Sequence, residues 1–471
     1  MDNLKKAVST VIVSVLIIVS IHRVSDFLQL KDSDNRYSSY LTEDASIDVL
    51  FLGSSHVRHG FFPMELWNDY GISSFNLAAN GSTIPVSYWT LVNALDYQEI
   101  KLVVMDVFDM WPGRICSDTW GQVHIALDFF PISVNKCRMV KDLFDDPELT
   151  DAKGVNLHEK RWEILWDIGE YHTRWTNLVK DDFATQSELE KNSAIWKGAA
   201  PLIQVVDRNK MVYQESVDGL EYDEISREYL LRMIRLCTEE NIELVLINTG
   251  YDCNAEAKIF ADSVYDIAAQ FDIPYLDFTQ KEIINFNTDL QTTGHNTHVN
   301  FSGAEKFTSY IGKYLSENYS LIDHRNDEAY SSWRMDYQLY TDSKETYLTT
   351  QSDLTYYLMF LADNDYQIVI EIREPSILYE NRNQAMLENL GVDYSKIRSD
   401  CNLIMIDNGT REVVYQCMNE ASADTYIGRL CTRNNEDAAV YEKCANENEG
   451  RMRISVINRN TGEMVDSRVF Q

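Results

Sequence analysis

Apolar residues in this chain come in short solid runs separated by helical repeats. Residues 47–52 (IDVLFL) make one such run and end in Gly53. Ser74-Phe75-Asn76-Leu77, residues 102–107 (LVVMDV), residues 242–248 (IELVLIN) and residues 274–278 follow it. Runs this short, without polar alternation, predict strands buried on both faces, and the closing glycine predicts a tight turn. Between them, Ile225, Tyr229, Met233 and Leu236 recur on one helical face across 222–239, and 303–318 reads as the final helix of the series. Strands alternating with helices predict an α/β fold built on a doubly wound parallel sheet. Ligand sites in such sheets lie beyond the carboxyl ends of the strands.

Two stretches depart from that alternation. An insertion at about 111–220 carries Trp111, Trp120, Trp162, Trp166, Trp175 and Trp196, six of the nine tryptophans. They suit either the wall of a sugar cleft, with Trp111 and Trp120 nearest the sheet in sequence, or a helical cap packing its own core. After Trp333 the pattern turns mixed and mostly β. A helical stretch at 353–362 leads to a strand at 368–372, a helix ending at Leu390-Gly391, and strands at 403–406 and 412–416 about an Asn408-Gly409 turn. A hairpin closes the chain, 453–457 against 464–470. The expected organisation is 1–24 as tip and anchor, 25–340 as the α/β domain with its insertion, and 341–471 as a second domain.

The first segment reads as an anchor. Residues 7–21 hold no charge, follow Lys5 and Lys6, and run into His22-Arg23. Fifteen residues rise about 22 Å, short of the roughly 30 Å of hydrocarbon unless the flanking basic side chains snorkel. The length also fits a signal-peptide core, but no small-x-small site follows, which favours an uncleaved span with its lysines in the cytoplasm and the rest outside. That address permits disulfides among the eight cysteines, Cys116, Cys137, Cys237, Cys253, Cys401, Cys417, Cys431 and Cys444. Sequence assigns no pairs, and free buried thiols are as good a reading. No C-x-x-C occurs, so zinc ribbons and dithiol redox sites are not supported.

Composition narrows the partners. Of 471 residues, 45% are apolar and 11% aromatic, so the chain can bury a large core. Its 42 Lys+Arg against 74 Asp+Glu leave a charge of 42 − 74 = −32, which repels nucleic acid and anionic lipid surfaces and suits neutral partners such as sugars.

Candidate chemistry sits at two turns. Gly53-Ser54-Ser55-His56 ends the first strand, and Gly294-His295-Asn296-Thr297-His298-Val299-Asn300 precedes the last helix. A serine just after a strand and glycine projects its hydroxyl at the sheet edge, where helix N–H groups can hold an oxyanion. It needs a neutral imidazole to take its proton, and a histidine in the late loop can supply one. Taken alone, such a serine more often caps a helix. His295 and His298 could also furnish two metal ligands, but a third is missing, so neither metal nor cofactor is expected. His56 reads as a wall of the cleft.

Residues 51–56 (FLGSSH), Phe75-Asn76-Leu77, Val103-Val104-Met105-Asp106 and residues 298–307 (HVNFSGAEKF) together resemble the SGNH/GDSL hydrolase superfamily. More narrowly they resemble its membrane-anchored branch, which works in teichoic-acid D-alanylation and in O-acetylation of alginate and other surface polysaccharides. Asp323-His324-Arg325-Asn326-Asp327 and Ala329-Tyr330-Ser331-Ser332-Trp333 are similar to a segment of such proteins. The resemblance spans about 45–335 and implies a flavodoxin-like sheet. It implies Ser55 as nucleophile, His298 as general base, and oxyanion donors at the Ser55 and Ala79 amides. The family's acid three residues before the histidine is His295 here. That leaves a Ser-His dyad, an acid from elsewhere such as Asp289, or a pseudoenzyme. Asn80 beside Gly81, Asp106 or Asp109 would stand for the remaining family positions. The tail, through residues 450–458 and 461–467, resembles an interleukin-like (GG) domain. The implied activity is acyl, mainly acetyl, transfer to a surface polysaccharide, with a membrane-bound O-acyltransferase as donor partner. An esterase and a non-catalytic carbohydrate-binding scaffold are the alternatives.

Overall fold

The computed structural model describes residues 2–28, 36–108, 115, 119–128, 130–165, 172–178, 183, 194–206, 224–251, 255–291, 297–372, 374–379, 381–397, 402–409, 412–418, 422–425, 428–431 and 451–471. The chain opens with α1 (Asp2–Leu28) and α2 (Arg36–Leu41). Next come β1 (Val49–Leu52), α3 (Ser55–Gly60), α4 (Pro63–Tyr70), β2 (Ser74–Asn76), α5 (Ile84–Ala94) and β3 (Leu102–Asp106). The insertion supplies α6 (Trp120–Leu127), α7 (Val134–Leu143) and α8 (Leu157–Lys160). The alternation resumes with α9 (Glu224–Glu239), β4 (Glu243–Asn248), α10 (Ala255–Phe271), β5 (Tyr275–Asp277) and α11 (Phe301–Asn318).

Strands β1 to β5 form one parallel sheet in the order β2-β1-β3-β4-β5. Every residue of β1 and β3 is buried, the consequence of strands made only of Val, Leu, Phe and Met up to Asp106. This is the flavodoxin-like order, whose connections leave β1 and β3 in opposite directions and open a crevice at their carboxyl ends. Helix α11 follows the histidine loop and packs on α3 and α4. Asn300 caps it by accepting from the Gly303 N–H, and Phe301, Ala304, Phe307, Ile311 and Leu315 bury one face. Phe307 stacks on Phe61 and meets Phe278 edge-on. Truncating so buried a ring costs about 3–5 kcal/mol, so Phe307→Ala would loosen the helix that follows the histidine loop.

The second half is α12 (Ser331–Thr350), α13 (Leu354–Phe360), β6 (Tyr366–Ile372), α14 (Asn381–Asn389), β7 (Asn402–Asp407), β8 (Glu412–Met418), β9 (Ser422–Thr425), β10 (Gly428–Cys431), β11 (Met452–Asn458) and β12 (Met464–Phe470). Five of these strands make an antiparallel sheet ordered β12-β11-β6-β7-β8, while β9 and β10 pair apart from it. Helix α12 runs unbroken across position 340. Its Lys344 is buried, with Nζ 2.6 Å from Glu65 of α4, 2.8 Å from Asp363 and 3.3 Å from Asp365, so one ammonium ties the two halves together.

Helix α1 is longer than the apolar run that predicts it. It continues through Arg23 to Leu28, since nothing from His22 to Leu28 is Pro or Gly to stop it. The stretch Val8–Ser25, about 27 Å at 1.5 Å per residue, is long and apolar enough to cross a membrane.

The tryptophans of the insertion divide. Trp120 and Trp196 are buried: Trp120 bonds Glu163 and packs on His124 and Phe144, and Trp196 bonds Ser343 and packs on Phe62 and Tyr340. Both belong to the packed core, and the contacts of Trp120, expected as a cleft wall, are with the insertion's own residues. Trp162 and Trp175 are exposed, and Trp111 and Trp166 lie outside the described residues. Cys137 and Cys237 are free thiols, and the other six cysteine side chains lie outside what is described.

Candidate active site

β1 delivers the chain to the crevice and Gly53 turns it. Its φ of +149° disfavours any Cβ, and one built there would lie 2.7 Å from Val57 Cγ2 and 2.9 Å from Asp106 Cβ. Ser54 then caps α3, its Oγ accepting from the His56 N–H, and Ser55 is the first residue of that helix. In this position the Ser55 N–H has no acceptor within the helix and faces the positive end of its peptide dipoles.

The partner arrives from the far end of the sheet. An isolated bridge between Leu290 and Val299 ties the ends of the loop together. The Gln291 N–H donates to the His298 carbonyl at 2.8 Å, and the Asn300 N–H to the Asp289 carbonyl at 2.9 Å. These bonds bring His298 Nε2 to 2.7 Å from Ser55 Oγ, across 243 positions of sequence. With Nε2 unprotonated, the Ser55 hydroxyl donates to it, the geometry a general base needs. Both residues are largely covered, Ser55 8% and His298 9% exposed.

Histidines surround this bond. The His56 ring stacks on His298 with centroids 4.5 Å apart and meets Phe108 edge-on, so it walls the site from beside the imidazole. His59, one helical turn after Ser55, meets His298 edge-on at 5.9 Å. Its Nδ1 lies 2.6 Å from the Ala200 carbonyl, which can only accept, so Nδ1 carries the hydrogen. Burial drives the His59 pKa down to about 4, with the charges of Arg58 and His298 in the same sense, against hydrogen bonds to Ala200 and Asn80. His59 is thus a neutral imidazole at physiological pH.

The turn after β2 packs against the glycine. The Ala79 N–H donates to the Gly53 carbonyl at 3.1 Å, so this amide, expected as an oxyanion donor, is engaged within the fold. Asn80 stands next to it, exposed, with its side chain bonded to His59. Asn76 holds α3 from beneath, donating to the Val57 and Phe61 carbonyls and accepting from the Ala78 N–H. Asp106 accepts from the Phe108 and Thr249 N–H groups and the Thr249 hydroxyl, and burial raises its carboxyl to about 6. It therefore supports the floor of the crevice and ties β3 to β4.

His295, Asp109 and Trp111 lie outside the described residues. Asp289 is fully buried, its two oxygens accepting from the Asn285 N–H, Thr288, Ser302, Lys306 and Asn389. Outside the crevice, Glu65, Asp363 and Asp365 converge as a metal-binding trio would, but the Lys344 ammonium stands among their oxygens. The sequence does not single out His59 or Asn389, and marks Asn76 only within the Phe75-Asn76-Leu77 strand. A four-residue step from Ser55 to His59 on one short helix was the signal for the first.

Ser55 and His298 thus form a largely covered hydroxyl–imidazole pair at a helix N-terminus, with the geometry to attack an ester carbonyl and shuttle its proton. No family model matches the chain, and no curated protein matches it. Among solved structures, one from Bacteroides fragilis, provisionally described as an acylhydrolase, is similar over 61% of this chain and 99% of its own, at 12% identity and a TM-score of 0.28.

Proposed function

We propose that this protein is a serine-dependent acyl-ester enzyme of SGNH type that transfers acyl groups, mainly acetyl, to hydroxyls of a surface polysaccharide. The observation that carries the reading is the 2.7 Å approach of His298 Nε2 to Ser55 Oγ at the switch point of the sheet. Ser55 Oγ attacks the donor carbonyl and gives its proton to His298, and the oxyanion forms against the Ser55 N–H at the start of α3. The C–O bond to the leaving alcohol breaks, His298 protonates that alcohol, and acyl-Ser55 remains. An acceptor hydroxyl, deprotonated by the same imidazole, then takes the acyl group and restores the hydroxyl.

The low exposure of both side chains favours transfer over hydrolysis, because an acyl-enzyme kept from water survives until a glycan hydroxyl docks. The apolar α1 supports anchoring at a membrane, with the crevice on the outer side. The family resemblance suggests a membrane-bound O-acyltransferase as donor partner, and the charge of −32 suits a neutral glycan better than an anionic polymer.

Detergent-solubilised protein given a labelled acetyl-ester donor tests this. Label on Ser55 that passes to added glycan is the expected result, with none in Ser55→Ala. Acetate released at the same rate with and without glycan would instead make the protein an esterase. No label on Ser55 at all, with glycan binding intact, would leave a non-catalytic carbohydrate-binding module.

A further inference from the structure

The loop that carries His298 is held from outside its own sheet. On one flank the insertion grips it: the Phe301 N–H donates to the Leu202 carbonyl and the Val206 N–H to the Leu290 carbonyl. On the other flank stands Asn389, the last residue of α14, contributed by the C-terminal half. Its Nδ2 donates to Asp289 Oδ1 at 3.2 Å and to Ser302 Oγ at 3.1 Å, and its Oδ1 accepts from Lys306 Nζ at 2.5 Å. An ammonium can only donate, so Lys306 fixes which way the amide faces and points its NH2 at Asp289.

Asp289 is the hub of this cluster. Lys306 Nζ reaches its Oδ2 at 2.6 Å and Ser302 Oγ its Oδ1 at 2.8 Å, both from the first turns of α11. Through its own carbonyl it receives the Asn300 N–H, two residues after His298, while the Gln291 N–H takes the His298 carbonyl. The loop's ends are thus closed by main-chain bonds at Asp289 and Gln291, while the Asp289 side chain binds the first turns of α11 and, through Asn389, the second half of the molecule. A carboxylate with five charge-assisted or neutral donors is stiff, and losing one of them loosens the rest.

We infer that Asn389 is a positioning residue for His298: through Asp289, Ser302 and Lys306 it fixes the loop that aims the imidazole at Ser55. The inference rests on the acyl-ester reading. It makes the C-terminal half part of the catalytic apparatus, since rocking α14 would shift the imidazole against the serine.

The test uses the full chain in detergent, p-nitrophenyl acetate as substrate, and a fluorophosphonate that titrates reactive Ser55. Asn389→Ala and the near-isosteric Asn389→Leu should lower kcat per titrated serine roughly tenfold, with KM within about twofold, as a small misplacement of a base does. Glu388→Ala, an exposed neighbour on the same helix, should match the wild type. Unchanged kcat per titrated site in both Asn389 variants would overturn the inference. So would variants that only reduce the number of titratable sites, because that is a folding defect and not a misaimed base. A wild-type protein that neither turns over the ester nor takes the fluorophosphonate fails at the acyl-ester reading itself, and takes this inference with it.

Discussion

Gly53 and Asp106 touch at the carboxyl edge of the sheet, where β1 and β3 end side by side. A Cβ on residue 53 would come within 2.9 Å of the Asp106 Cβ and within 2.7 Å of Val57 Cγ2. The same Asp106 binds both the N–H and the hydroxyl of Thr249, at the end of β4. The backbone that presents Ser55 therefore rests directly on the groups that join three strands, and the missing side chain at 53 is what lets it sit that low.

Gly53→Ala should therefore damage both the fold and the site. Its φ of +149° and the two close approaches amount to a destabilisation of about 1–3 kcal/mol. Ser55 would move away from His298, and a shift of that kind costs on the order of 100-fold in rate. Denaturant midpoints and phosphonylation rates check the two effects separately; a variant with full Ser55 reactivity would show that the turn tolerates a side chain.

His59 predicts an acid limit for the same site. Burial holds its imidazole neutral down to about 4 in the fold, whereas an exposed histidine titrates near 6.5. A depressed folded pKa means that the stability is fully present above about 6.5 and is lost as pH falls through about 4. Urea midpoints of the wild type should decline across that window, and those of His59→Asn should decline less. Parallel curves would mean that His59 takes its proton without cost.

Much of this architecture was legible because strands buried on both faces leave no alternation: β1, β3 and β4 are nearly continuous apolar runs. Ser55 and His298 were legible from the turns that bear them. What the pattern hides is long-range pairing. Ile370 of β6 lies opposite Ile454 of β11, and no local signal marks that partnership. Lys344, Asp363 and Asp365 read as surface residues in a polar stretch, and only their mutual neutralisation lets them be buried. Trp120 and Trp196 belonged to an aromatic-rich insertion whose composition could not tell a cleft wall from a packed core.

Lys344 should be among the costliest residues to remove. Its ammonium is the cation among Glu65, Asp363 and Asp365, all nearly inaccessible to solvent. Lys344→Met keeps the volume but strands those carboxylates, and breaking a buried pair in this way costs about 3–5 kcal/mol. Thermal or urea unfolding measures it. A variant within about 1 kcal/mol of the wild type would mean that the carboxylates take up protons without penalty.

Glu305 gives the opposite sign. It lies on α11 with neither carboxylate oxygen hydrogen-bonded, buried beside the charges of Glu65 on α4 and of Asp363 and Asp365 before β6. Burial first, and then those three like charges, push its carboxyl well above the usual range, with Lys344 opposing. A raised folded pKa means that this stability is fully present below the unfolded value of about 4.3 and is lost as pH rises through the folded one, at up to about 1.4 kcal/mol per unit. Glu305→Gln keeps the shape and removes the titration, so at pH 8 it should be the more stable protein, and near pH 4 the two should converge. Urea midpoints across that range decide it. A wild type that gains on the variant as pH rises would show that Glu305 is ionised in the fold and held by a cation.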